Sequence, residues 1–201
     1  MLLVLARHGE TRWNVEHRYQ GQRGNLPLSE RGFEQAKLLA QALSPRTFDA
    51  VYTSDLLRAR QTADAICAGR SLRPIETPAL RELDFGEWEG LTYDELKSRD
   101  AEQLAAWDRD RLNVACPGGE SLKQLVERLE PFVGELRQAH AEQTVLLVAH
   151  GGPLQLLIAL SLGLPPVAYR QLRTEPGSWS ELYLGPPRNV LSHLSCSPTS
   201  A

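Results

Sequence analysis

Two short apolar runs in this chain end in the same way, and that repetition constrains the fold more than any other feature. Leu2-Leu3-Val4-Leu5-Ala6 carries no charge and runs directly into Arg7-His8-Gly9. Val145-Leu146-Leu147-Val148-Ala149 runs directly into His150-Gly151-Gly152. Short uncharged runs of this kind read as strands buried on both faces, as in parallel sheets covered by helices. In open α/β sheets, ligands bind outside the carboxyl ends of the strands. Were the two strands neighbours, their axes would lie about 4.8 Å apart. Both imidazoles could then grip one small tetrahedral group.

The segments between them alternate helix and strand. A loop over Trp13–Pro27 is followed by a helix capped at Ser29, with Phe33, Ala36, Leu39, Ala40 and Leu43 on one face and Ser44-Pro45 as its stop. Phe48–Thr53 reads as a strand, then a helix capped by Ser54 or Asp55 places Leu56, Ala59, Ala63 and Ile66 inward. Leu72–Glu76 is a weak strand. From 77 to 119 glycine and proline punctuate an excursion with helical pieces near 92–99 and 101–108, in which Trp88, Tyr93 and Trp107 either line a pocket or pack the excursion itself. A long amphipathic helix starts at Glu120 or Ser121, with a kink expected at Pro131. After the second histidine strand a nearly all-apolar helix opens at Pro153. Trp179–Leu184 and Asn189–Leu194 form a terminal strand pair, and 195–201 is a frayed tail. The expected architecture is therefore α/β, a three-layer α/β/α sandwich on a mostly parallel sheet, with one domain over 1–194.

Composition excludes several functions. The 201 residues suffice for one ordinary core, and a net charge of −3 without a Lys/Arg run argues against nucleic-acid binding. Cys67, Cys116 and Cys196 are odd in number and lack CxxC spacing, so neither a disulfide framework nor a zinc site is expected, and a reducing cytoplasm is. No apolar run approaches the roughly 20 residues of a membrane span. No closely spaced metal-ligand set such as HExxH occurs either.

The chemistry-bearing residues converge on an anion. Arg7 offers a planar fork matched to phosphate or carboxylate, His8 can be nucleophile, acid/base or ligand, and Gly9 lets the backbone turn closely. Arg58 sits in the first turn of its helix, where a cation opposes the helix dipole unless an anion lies between them. Glu82, Asp84, Glu87 and Glu89 are each able to supply a carboxylic acid that keeps its proton by burial and acts as general acid. Spacing alone does not choose among the four. His17, His140 and His193 are read as surface or structural.

These segments, in order, resemble the histidine phosphatase (phosphoglycerate mutase-like) superfamily. The resemblance rests on Leu5–Thr11 with Asn14, Pro27–Gly32 with Gln35-Ala36, Thr53–Ala63, Leu80–Glu82, Phe85–Gly90, Pro117–Ser121 and Val148–Gly152, spanning roughly residues 2 to 160. It implies a phosphoglycerate mutase-like fold and a phosphomonoesterase working through phosphohistidine, without metal or cofactor. By resemblance His8 is the nucleophile and Glu82 the proton donor. Arg7, Arg58 and His150, with Asn14, Gln20, Gly21 and the Gly151 backbone, bind phosphate. Tyr19-Gln20-Gly21 and the shortness of the 82–119 run are closer to the phosphatase branch than to the mutases. Phe85–Gly90 with Pro117–Ser121 is similar to alpha-ribazole phosphatases and to broad-specificity members. The implied partner is a small phosphorylated metabolite. Phosphoglycerate mutase is the alternative activity, and a catalytically dead binding module a more distant one. Oligomeric state is left open, a homodimer being one option. Asn25 departs from the family pattern, which usually has aspartate before the Pro-Leu pair.

Overall fold

The two histidine strands are neighbours. In the computed structural model, which describes residues 1–198, β1 (Leu2–Arg7) pairs in parallel with β4 (Thr144–Ala149) from Leu2 opposite Thr144 to Arg7 opposite Ala149. With β2 (Ala50–Ser54), β3 (Ile75–Thr77), β5 (Trp179–Tyr183) and β6 (Val190–Cys196) they form one six-stranded sheet in the order β3-β2-β4-β1-β5-β6. The β1–β4, β2–β4 and β2–β3 pairs are parallel, while β5 runs antiparallel to β1 and to β6.

The period-two alternation of a strand explains why β1 and β4 carry no polar residue in their middles. Leu3, Leu5, Val145 and Leu147 point into a core built with α6 (Leu122–Ala139) and α7 (Gly151–Ser161). Val4, Ala6, Leu146 and Val148 point the other way, into a core built with α2 (Glu30–Ala42) and α3 (Leu57–Cys67). Both faces are covered, so the sandwich has three layers as expected.

Several boundaries differ from the sequence reading. The 13–27 segment contains a short helix, α1 (Arg12–Val15), closed by a capping box between Thr11 and Asn14. Phe33 is 48% exposed, because the buried stripe of α2 runs through Gly32, Ala36 and Leu39. Neither Ser54 nor Asp55 caps α3. Its N-cap is Leu56, and the side-chain acceptor is Asn25, whose Oδ1 takes the Leu57 N–H at 2.7 Å. The amide thus does a capping carboxylate's work from a distant loop. Helix α6 continues unbroken through Pro131. Helix α7 begins at Gly151, two residues before the proline, with His150 as N-cap. Strand β6 runs on to Cys196, so the chain is still paired where a frayed tail was expected; residues 199–201 lie outside the described part.

The excursion holds α4 (Tyr93–Arg99) and α5 (Ala101–Arg109). Trp88 is fully buried, with its indole N–H donated to Asp100, and Tyr93 is exposed and bonded to Asp108. Of the three aromatics, Trp107 alone lines the cavity described below.

Candidate active site

Everything at the site follows from two strands ending side by side. The His8 amide donates to Ala149 O at 3.0 Å, extending the β1–β4 ladder one step past the strand. The two imidazoles leave the sheet together with ring centroids 5.0 Å apart and planes tilted by 59°. Gly9 turns the chain away so tightly against α2 that a Cβ would lie 3.0 Å from the Gly32 carbonyl carbon.

The hydrogen bonds assign the two rings different roles. His8 Nδ1 lies 2.7 Å from Gly9 O, and since a carbonyl only accepts, Nδ1 carries the proton. Its Nε2 therefore keeps a lone pair. Burial first, then the Arg58 and Arg7 charges, hold the His8 pKa well below 6.5, so the ring is neutral at neutral pH. His150 is pushed the same way by burial and Arg58. Both of its nitrogens are occupied: Nδ1 accepts from Arg58 Nε at 3.1 Å, and Nε2 donates to Ser54 Oγ at 2.8 Å. His150 therefore buttresses Arg58, a task not legible in the sequence.

Arg58 is fully buried on α3, and its Nη2 donates to Gly21 O at 2.8 Å. Burial lowers its pKa to about 10, which leaves it charged at neutral pH. Arg7 donates through Nη1 to Thr174 O at 2.6 Å, its pKa lowered by burial and partly restored by Glu82 and Glu175. Gln20 accepts from Thr11 Oγ1 at 2.7 Å. Around these residues three buried donors have no acceptor among the described residues: Arg7 Nε, Arg58 Nη1 and Gln20 Nε2. Unpaired buried donors are costly, and three of them around a neutral imidazole suit an anion. Two, moreover, belong to guanidinium groups.

Geometry also separates the four carboxylates. Glu82 lines a cavity of about 340 Å³ together with Arg7, Gly151 and Gly152, which Asp84, Glu87 and Glu89 do not. Its Oε2 accepts from Gly152 N at 3.2 Å and its Oε1 from Leu83 N at 2.9 Å. Burial pushes its carboxyl pKa up, against those hydrogen bonds and the two arginines. Glu89 instead organises the Gln22–Gly24 loop, accepting from Gln22 N at 2.8 Å, Arg23 N at 2.9 Å and Gly24 N at 2.8 Å. Asp84 caps the turn at Gly86, and Glu87 is exposed.

Asn14 stands apart. Its Oδ1 accepts from Thr11 N at 3.0 Å, and it lines a second groove with Glu10 and Arg173 that shares only Arg7 with the first. The far wall of the first cavity is aromatic and cationic. Tyr19, Phe85 and Trp107 meet edge to face, and the Arg111 guanidinium lies 3.8 Å over the Trp107 ring, paired with Asp108. Tyr169 and Arg170 complete it. These last residues come from segments that no spacing rule connects to the histidines.

Residues 3–197 match the profile of the histidine phosphatase superfamily, branch 1. The chain belongs to that family. It is 40% identical over 182 residues to the adenosylcobalamin/alpha-ribazole phosphatase of Salmonella typhimurium, covering 90% of each chain. It is 35% identical over 193 residues to phosphoserine phosphatase 1 of Hydrogenobacter thermophilus, covering 96% of this chain and 91% of that one. The alpha-ribazole phosphatase structure from Shigella flexneri superposes with a TM-score of 0.92 at 35% identity, over 100% of this chain and 99% of the other. The expected phosphatase and the expected phosphoglycerate mutase-like fold are both borne out. No helix among the residues described is long and apolar enough to cross a membrane.

Proposed function

We propose that this histidine phosphatase hydrolyses small phosphomonoesters through a phosphohistidine on His8. The observation that carries the reading is the neutral His8, its Nε2 lone pair free, among three unpartnered buried donors. In the first step Nε2 attacks phosphorus, the P–O ester bond breaks, and Glu82 gives its proton to the leaving oxygen. In the second, water attacks phosphorus while the Glu82 carboxylate takes its proton. The P–N bond then breaks, returning neutral His8 and inorganic phosphate. Arg7, Arg58, Gln20 and the Gly151 amide at the start of α7 meet the charge on the equatorial oxygens, which removes the need for a metal. His150 acts by holding Arg58 in place.

The raised Glu82 pKa and lowered His8 pKa shift in the two directions this chemistry requires, an acid that keeps its proton to higher pH beside a base that is free to lower pH. The relatives' names put alpha-ribazole 5′-phosphate and phosphoserine first among substrates to compare by kcat/KM, with sugar phosphates and phosphoglycerates beside them. The three free thiols fit a reducing cytoplasm.

Turnover of p-nitrophenyl phosphate in excess EDTA, abolished in His8→Ala, is the expected result. So is an acid-labile phosphoenzyme in the wild-type chain that His8→Ala does not form. Retained activity in His8→Ala would sink the reading. Mutase activity stimulated by 2,3-bisphosphoglycerate and exceeding hydrolysis would replace it with the transferase.

A further inference from the structure

The Pro117–Ser121 motif and the helix after it have no part in the chemistry above, yet they touch the segment that carries the proton donor. Glu82 belongs to neither a strand nor an α-helix; it lies in irregular chain between a single turn at Pro78–Leu80 and another at Gly86–Trp88. Backbone carbonyls in such a segment need partners from elsewhere. Here one side chain serves several of them, together with two carbonyls of the preceding turn. Arg128, on α6, donates through Nη1 to Ala79 O at 2.8 Å, Arg81 O at 3.0 Å and Pro78 O at 3.3 Å. Its Nη2 reaches Glu82 O at 3.3 Å.

Arg128 is fixed in turn by Glu120. The pair is two-pronged, Nε to Oε1 at 3.1 Å and Nη2 to Oε2 at 2.9 Å, and both side chains are 20% exposed. The same Glu120 Oε2 accepts from Asp84 N at 3.1 Å, on the far side of Glu82. Gln22, in the loop beside Arg58, adds a third tie by donating to Glu82 O at 3.0 Å.

We infer that Arg128 and Glu120 form a clamp that positions the Glu82 carboxyl for proton transfer. Four carbonyls and one amide between Pro78 and Asp84 are tied to this one ion pair, so the backbone from which the acid projects has its place set by α6. Among the described residues, the Glu82 carboxylate itself meets only two backbone amides, at Leu83 and Gly152. Orienting it therefore depends on where residues 82 and 83 are held. Neither Arg128 nor Glu120 lines the cavity or touches His8. They are positioning residues, and the inference rests on Glu82 being the proton donor.

A leaving group that departs well without protonation separates positioning from general support of the fold. Phenyl phosphate needs the acid; 2,4-dinitrophenyl phosphate, of similar shape, does not. Both are assayed by kcat/KM, which reports steps up to leaving-group departure. In Arg128→Met, kcat/KM for phenyl phosphate falls about 10- to 100-fold further than for 2,4-dinitrophenyl phosphate, the scale expected from an acid displaced by about 1 Å. Arg128→Lys, which keeps the charge and part of the donor set, shows the same selectivity at smaller size. Combining Arg128→Met with Glu82→Gln costs no more on phenyl phosphate than Glu82→Gln alone.

Because the readouts on Arg128→Met and Arg128→Lys are each a ratio of two substrates on one preparation, partial misfolding cancels in them. If Arg128→Met does not fold, the Arg128→Lys ratio decides. Equal losses on both substrates, or full additivity with Glu82→Gln, overturn the clamp while leaving Glu82 in its role. If Glu82→Gln itself fails to discriminate the two substrates, it is the proton-donor assignment that falls.

Discussion

Gly152 offers the sharpest probe of where the Glu82 carboxyl must stand. A Cβ built on Gly152 would lie 3.3 Å from Glu82 Cδ and closer still to Oε1, while ordinary van der Waals contact begins at 3.4 Å. In Gly152→Ala the carboxylate must retreat by about 1 Å, a displacement that costs on the order of 10²-fold when a reacting group is misplaced. That is about 2.7 kcal/mol of transition-state stabilisation at 1.36 kcal/mol per decade. Gly152 is the second residue of α7 and has no positive φ, so alanine is conformationally acceptable there. Helix propensity would favour the alanine by up to about 1 kcal/mol. Activity and stability should therefore separate: kcat/KM for phenyl phosphate drops about 10²-fold, while the melting temperature holds or rises. On 2,4-dinitrophenyl phosphate the loss is at least tenfold smaller, about 1.4 kcal/mol less. A Gly152→Ala enzyme within threefold of wild type on phenyl phosphate would show that the carboxyl's position does not matter. Equal losses on both substrates would mean that the methyl obstructs the phosphate site and not the acid.

Other consequences follow from the same geometry. The proposed mechanism needs protonated Glu82 as acid and neutral His8 as nucleophile. So kcat/KM for phenyl phosphate falls as pH rises through the Glu82 pKa, held above its usual 4.5, and as pH falls through that of His8, held well below 6.5. The alkaline limb should be missing with 2,4-dinitrophenyl phosphate, and an identical limb with both substrates would assign it to something other than Glu82. Since His8 and His150 have folded pKa values below those of the unfolded chain, the unfolded chain alone takes up their protons below about pH 6.5, and the melting temperature declines from there towards pH 5. Glu82 opposes this, because its raised pKa favours the folded state at low pH, so a rise in melting temperature over that range would show that the histidines do not dominate. Arg58→Gln removes a donor at the transferring group and lowers kcat about 10²- to 10³-fold in steady-state assays, and unchanged kcat would remove Arg58 from the site. Arg111→Gln lowers kcat/KM for O-phosphoserine by about tenfold relative to phenyl phosphate, the worth of one charge-assisted hydrogen bond to a carboxylate. An unchanged ratio would mean that the leaving group does not reach the Trp107 wall.

What the sequence revealed was set by how local its signals are. The buried strands were visible because β1 and β4 are apolar on both faces, and their adjacency followed from a shared ending in histidine and glycine. Ser29 was recognisable as a cap because its acceptor acts three residues away, on Gly32 N at 3.0 Å. The cap of α3 was not, because Asn25 reaches Leu57 across 32 positions, while nearer Ser54 and Asp55 looked adequate. Phe33 misled for a related reason: hydrophobic spacing does not say which side of a helix neighbouring chain will cover. At the site, residue types and resemblance singled out His8, Arg7, Arg58 and Glu82. Arg128, Arg111 and Tyr169 carry no local signal, because their roles exist only once α6 and the later loops fold over the strand ends.

The inequality of the two histidines has a physical origin in this arrangement. Two arginines are needed to meet the charge on a phosphoryl group, and the same two cations disfavour protonation of any imidazole beside them. A nucleophilic histidine gains from that, since only the neutral ring can attack. A histidine intended to donate a proton would be disabled by it. In the proposed mechanism the proton therefore comes from elsewhere, from a carboxyl whose burial outweighs the pull of those arginines. The structure uses the second neutral ring as an acceptor that holds Arg58 Nε while leaving Nη1 unpartnered. Removing that acceptor tests the division of labour. His150→Asn, whose side-chain carbonyl oxygen can still accept from Arg58, should retain far more activity than His150→Leu, which leaves Nε unpaired. Equal inactivation of the two would return His150 to direct phosphate binding.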